Sequence, residues 1–199
     1  DGILDASEGT SALTSIGGAA ALQIGSTTSA VTVGVLGAGD LNYGLVNEGS
    51  ITGTGVYADV DARAVQIGGL GQSTTIAGGI RNAGAITASA NTADATAIEL
   101  GAGATTPRFV NSGTVLAQSQ TDNADTVTGV LIQAGASLPS ITNSGTITAA
   151  VAGEAATAYG IRDLSGSLTS IVNQGGIFAA ISPTDGTTDK DDDDTDPAN

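Results

Sequence analysis

ITNSGTITA, at residues 141–149, is one of five versions of a single pattern. LVNEGSITG (45–53), IRNAGAITA (80–88), FVNSGTVLA (109–117) and IVNQGGIFA (171–179) share its template, apolar-x-Asn-x-Gly-x-Ile/Val-x-small. The asparagines Asn47, Asn82, Asn111, Asn143 and Asn173 recur about every 30 residues, a period that belongs to solenoids and arrays. Alternation along each copy is the period of a strand and not of a helix. Ile80, Asn82, Gly84, Ile86 and Ala88 therefore face one side.

Two further patterns fill each period. AVQIG (64–68), AIELG (97–101), GVLIQ (129–133) and AYGIR (158–162) follow the asparagine motif, and TTPRF (105–109), SLPSI (137–141) and SLTSI (167–171) precede the next one, with STTIAGGI (73–80) as a longer version. Three short strands per period, separated by Gly/Ala/Ser/Thr/Asp bends, describe one coil of a right-handed parallel β-helix. The fold expected is all-β, with five to six coils of roughly 30 residues and three short strands per coil. Stacked coils make columns: Ile51, Ile86, Val115, Ile147 and Ile177; Val65, Ile98, Val130 and Tyr159; Ile67, Leu100, Ile132 and Ile161. The five asparagines form a structural ladder in which side-chain amides bond to each other and to bend carbonyls, and the glycine two residues on permits the bend. Residues 1–40, where LTSIGG (13–18) and ALQIG (21–25) match only in part, read as an irregular first coil or cap; 41–182 carry the regular coils; 183–199 form an acidic linker or tail.

Composition agrees with a thin core. Gly (30) and Ala (33) make up about a third of the 199 residues, aromatics are 3%, and Cys, His, Met and Trp are absent. Lacking thiol and imidazole, the chain can build no Ser-His-Asp triad, no zinc cluster of the usual ligands and no disulfide. The formal charge of −15 makes nucleic acid a poor partner. No stretch approaches the ~18 apolar residues of a membrane span.

The VNSGT/ITNSGTITA type of repeat, with its AxAIxL partner strand and Gly-rich turns, resembles the passenger β-helices of bacterial autotransporters over roughly residues 40–181. That resemblance implies export to the bacterial cell surface or the extracellular space, tethering to the outer membrane through a C-terminal continuation, and a role in adhesion, self-association or surface display. Cell-surface or glycan contacts, or further copies of the chain, are the partners it implies.

Candidate sites rest on carboxylates. Asp59, Asp61, Asp94, Asp125 and Glu154 fall 11–14 residues after their asparagines, so they should stack as an acidic column at one bend, beside Arg63. A solvated turn is the plain reading; calcium is the cation such a column or the Asp-rich tail could hold, although the tail lacks the glycine and glutamate of an EF-hand loop. A polysaccharide lyase or hydrolase would use paired carboxylates with a cation. Here Arg63, Arg81, Arg108 and Arg162 occupy four different template positions, and few aromatics are available as sugar platforms. The expectation is therefore a non-enzymatic module without a cofactor; the alternatives are a carboxylate enzyme acting on polysaccharide, and a passive spacer or lattice or filament subunit.

Overall fold

The computed structural model describes residues 11–182 except 122 and 154. Four parallel sheets run along one axis. The first holds Ala12–Ile16, Ser50–Ala58, Ala85–Asn91, Thr114–Gln120, Thr146–Ala152 and Gly176–Ser182. Leu22–Ile24, Ala62–Ile67, Ala95–Leu100, Thr126–Ile132 and Thr157–Asp163 form the second. A short third sheet contains Val31–Val33, Thr74–Ile76 and Ala104–Thr105, and the fourth contains Leu45–Asn47, Ile80–Asn82, Phe109–Asn111, Ser140–Asn143 and Ser170–Asn173. The chain visits the sheets in that order and then repeats, which is a parallel β-helix. Among the described residues no helix is long and apolar enough to cross a membrane.

The counts differ slightly from the expectation. Four turns separate Asn47 from Asn173, with a looser winding before them and a single strand after. Each turn has three or four strands, because the nine-residue template is not one strand but two, joined by a corner at its Asn-x-Gly. In later turns the third sheet is reduced to a lone bridge, Thr105 to Ser137. Pro107 and Pro139 sit just beyond it at equivalent positions, and a proline has no N–H to offer a ladder.

Columns of like residues fill the interior. Leu13, Ile51, Ile86, Val115, Ile147 and Ile177 stack in register along the first sheet. In the fourth, Leu45, Ile80, Phe109, Ile141 and Ile171 do the same, with Phe109 buried. The second sheet corrects the expected register of its last strand. Ile161, not Tyr159, follows Val130, while Tyr159 stands beside Thr128 and Asp163 beside Ile132. Glycine explains the two-residue shift. A Cβ on Gly129 would lie 2.9 Å from Ile147 Cγ2, and one on Gly160 would lie 2.8 Å from Ile177 Cγ2. Both glycines mark where the second sheet presses on the first, so aligning them outweighs aligning the apolar pairs.

Two buried hydroxyls, Thr74 Oγ1 and Thr106 Oγ1, have no hydrogen-bond partner among the described residues. Thr106→Val keeps the shape and removes an uncompensated polar group, so it should stabilise the fold by about 1 kcal/mol, read as a raised Tm. An unchanged or lowered Tm would mean that the hydroxyl is satisfied.

Candidate functional site

Repetition places the same side chain at the same corner on successive turns, and the asparagines show what this builds. Asn47 Nδ2 donates to Asn82 Oδ1 at 2.7 Å, Asn82 to Asn111 at 2.8 Å, Asn111 to Asn143 at 2.7 Å and Asn143 to Asn173 at 2.8 Å. Each Nδ2 also reaches a backbone carbonyl of the next turn: Ala85, Thr114, Thr146 and Gly176 in order, at 3.1–3.2 Å. Asn82, Asn111 and Asn143 are fully buried. Every amide points the same way along the axis, so the ladder is polar, with its donor end at Asn173. The amides of Asn82, Asn111 and Asn143, bonded on both sides, hold the corners in register and leave nothing for a ligand.

The glycine of Asn-x-Gly serves a different purpose from the one its bend suggests. Gly84, Gly113, Gly145 and Gly175 do not have the left-handed φ that favours glycine. Instead, a Cβ on each would strike the carbonyl oxygen of the equivalent residue one turn back (Gly49, Gly84, Gly113 and Gly145 respectively), far inside the 3.0 Å that real Cβ atoms respect. That carbonyl points along the axis because it accepts the next turn's N–H, as Gly84 O does from Thr114 at 2.9 Å. Stacking, not backbone conformation, requires the glycine.

The carboxylates do not gather into one column. Asp61 lies beside Asp94 in register, but Asp125 is displaced by one residue, and Glu154 lies outside the described residues, as does the acidic tail. Each described acid except Asp59 has its own local partner. Asp61 pairs with Arg63 at 3.0 Å, Asp94 Oδ1 accepts the Thr126 N–H at 2.7 Å, and Asp125 accepts the Thr121 hydroxyl. Asp59 sits in a left-handed turn (φ 61°), where its N–H donates to Thr92 Oγ1 at 3.2 Å. Among the described residues no three acids come together as a metal site would need.

Sequence spacing missed Glu99, whose carboxylate takes Arg63 Nε at 3.3 Å and Gln133 Nε2 at 3.2 Å. Arg63, Asp61, Asp94 and Glu99 line a shallow depression of about 100 Å³. Glu99 directly follows the inward Ile98 of an AIELG strand, so strand alternation was the signal that could have placed it. The other arginines are dispersed: Arg81 pairs with Glu48 at 2.9 Å, while Arg108 and Arg162 lie over Tyr43 and Tyr159.

A wider concavity lies elsewhere. A groove of about 660 Å³ crosses five strands of the first sheet near their C-terminal ends, and Gly55 and Val56 are among the residues that line it. Ser89, Asn91, Gln118, Gln120 and Thr54 supply polar groups to it, and among the described residues no charged side chain lines it. Gln118 Nε2 donates to Ser89 Oγ at 3.2 Å, a cross-turn contact that orients the amide. Comparison with known proteins yields no matching family model, no similar curated protein and no similar solved structure. The reading of function therefore rests on this geometry and on the repeat itself.

One carboxylate is clearly perturbed. Partial burial pushes the Asp163 carboxyl up, but hydrogen bonds from the Ser165 hydroxyl and from the N–H groups of Leu168, Ser165 and Gly166 outweigh it and hold the group below the usual carboxylate range. A lowered carboxyl stabilises the fold above its unfolded value, about pH 4, and that contribution fades as pH falls through the folded value. Acidification below pH ~4 should therefore release the 163–168 turn. Protection of the Ser165, Gly166 and Leu168 amides, taken relative to intrinsic exchange at each pH, would fall there, and Asp163→Asn would remove that fall. Protection that stays constant from pH 6 to pH 2 would contradict the assignment.

Proposed function

We propose that the chain is a non-enzymatic, extracellular or cell-surface β-helix module of autotransporter-passenger type, serving adhesion, self-association or surface display. The observation that carries this reading is the groove across five successive strands of the first sheet, lined among the described residues by uncharged amides, hydroxyls and small side chains. Because the turns repeat at about 4.8 Å, amides and hydroxyls recur along the axis, a layout suited to many weak contacts with an extended partner. Weak contacts in series add up to avidity without a deep pocket. The repeat motif and the acidic, Cys-free composition support export to a bacterial surface.

A carboxylate enzyme would need two acids free to meet a substrate in one cleft. Asp61, Asp94 and Glu99 share a depression of only about 100 Å³, apart from the groove, and are held there by Arg63, the Thr126 N–H and Gln133.

Beads coated with the chain should be retained on cell or glycan-coated surfaces and should lose at least about ten-fold in retention when Gln118 and Gln120 are both replaced by Lys, since each surface contact is multiplied across copies. Retention equal to that of uncoated beads on every surface, with the fold intact, would reject adhesion. Turnover of a polysaccharide would reject the non-enzymatic reading.

A further inference from the structure

The groove is cut into a face without charge. None of the six strands of the first sheet contains an Asp, Glu, Lys or Arg, although the chain carries 20 acids and 5 bases. By contrast the second sheet holds Arg63, Glu99, Arg162 and Asp163, and the fourth holds Arg81.

Polar groups in the groove follow the column axis. Thr54, Ser89 and Gln118 succeed one another in register on three turns, and Asn91 stands beside Gln120. On the next turn Ala150 and Ala152 take the two positions of Gln118 and Gln120, so the wall drops away there. Gln118 Nε2 is engaged by Ser89 Oγ, whereas Asn91 and Gln120 are exposed, with both side-chain amides free of a partner among the described residues.

This lining sets conditions on a ligand. A polyanion would find no cation in the groove and would be repelled by a chain of net charge −15. A peptide cannot add as a strand, because the main-chain groups of the floor are already paired from turn to turn. Nor would its side chains find a row of apolar pockets, since Val56 is the one large exposed apolar residue in the lining. A second copy would bring the same hollow, and two such faces laid together would enclose an unfilled groove. Residues 183–199, which follow Ser182 at the groove's edge, would bring seven Asp to a lining with no cation to meet them. An uncharged chain with hydroxyls along its length satisfies every condition, because each hydroxyl both donates to and accepts from an amide.

We propose that the groove binds a neutral, extended glycan strand lying along the column axis, about one sugar per turn. Asn91, Gln118 and Gln120 hydrogen-bond its hydroxyls, and Ala150 and Ala152 leave room for its rings. The assignment rests on the adhesive reading and specifies its ligand. Five strands at ~4.8 Å span roughly 20 Å, so contact should be complete at about five sugars. Affinity then comes from weak bonds in series.

Titrating the full ¹⁵N-labelled chain with cellohexaose, mannohexaose, xylohexaose and chitohexaose tests this, with hexagalacturonate and an uncharged Ser/Thr/Gly peptide as comparisons. At least one neutral hexamer should bind saturably, with amide shifts confined to residues 54–56, 89–91, 118–120 and 150–152. Its affinity should rise from the dimer to about the pentamer and then level off, and hexagalacturonate should bind at least ten-fold more weakly. Asn91→Ala combined with Gln120→Ala should weaken binding at least ten-fold with Tm unchanged, and Ala152→Trp should block it. Thr148→Ala, on the same face but outside the groove, should leave it as in wild type. No saturable binding by any of the four neutral hexamers, equal binding by hexagalacturonate or the peptide, or shifts elsewhere would each overturn the proposal. Beads that hold to cells while no neutral hexamer binds would remove this ligand alone; beads that hold to no surface would remove the adhesive reading itself.

Discussion

Replacing Gly113 by Ala will destabilise the protein by about 3 kcal/mol, a large share of the 5–15 kcal/mol that holds a domain together. The added methyl would meet the Gly84 carbonyl oxygen and the Ala83 carbonyl, all of it backbone. Side chains cannot swing aside to relieve it, so the rungs must separate, and separation breaks the Thr114 N–H to Gly84 O bond together with the asparagine ladder beside it. Gly34→Ala is the contrast. Nothing lies within 4 Å of its Cβ and its φ is not positive, so alanine there should be neutral or stabilise by up to about 1 kcal/mol by restricting the unfolded chain. Thermal or urea unfolding of the two variants decides the matter; equal effects would show that the corner glycine is conformational after all.

Asn111→Ala should cost about 3 kcal/mol, because a buried donor and acceptor disappear at once. Asn143 Oδ1 loses the 2.7 Å donor from below, Thr146 O loses a 3.1 Å partner, and Asn82 Nδ2 loses its acceptor at 2.8 Å. Asn111→Asp is more damaging at neutral pH. A carboxylate would then face Asn143 Oδ1, Gly113 O and Thr146 O, three acceptors with no proton to share. Burial among acceptors raises the folded carboxyl above its unfolded value of about 4, so the penalty is absent below that pH and grows as pH rises toward the folded value. The Asp variant should therefore unfold more easily at pH 7 than at pH 4, the reverse of Asp163, whose lowered carboxyl stabilises at the higher pH. A variant indifferent to pH would mean that position 111 is solvated.

Much of the architecture is legible in the sequence because a parallel β-helix writes its register as repetition. Ile51, Ile86, Val115, Ile147 and Ile177 could be aligned by eye, and they stack residue on residue. Alignment by apolar pattern failed at the last strand of the second sheet, where Ala158-Tyr159-Gly160-Ile161 offers two apolar pairs two residues apart. Packing chose the frame that sets Gly160 beside Gly129, a tertiary demand no single strand reveals. The nine-residue template also read as one strand because alternation continues across the corner.

The candidate site was less legible. Spacing from the asparagines predicted one acidic column, but loops between the first and second sheets differ in length. In the loop 59–61 the left-handed Asp59 and an antiparallel bridge from Val60 to Asn91 turn the Asp59 carboxylate away, and in the next loop Asp125 falls one residue out of register, so only Asp61 and Asp94 stay side by side. The groove depends on the Gly55–Val56 excursion and on five strands at once, whereas each strand alone shows only an ordinary outward Ser or Gln.

The central claim, a column locked by buried and directional asparagine amides, is tested most directly by hydrogen exchange of the side-chain amides in ¹⁵N-labelled protein. The structure predicts that Asn82, Asn111 and Asn143 exchange only with global unfolding, and that the Nδ2 protons of successive asparagines show mutual NOEs along the column. Asparagine amides that exchange at the rate of a free side chain, with no contact from one turn to the next, would contradict it.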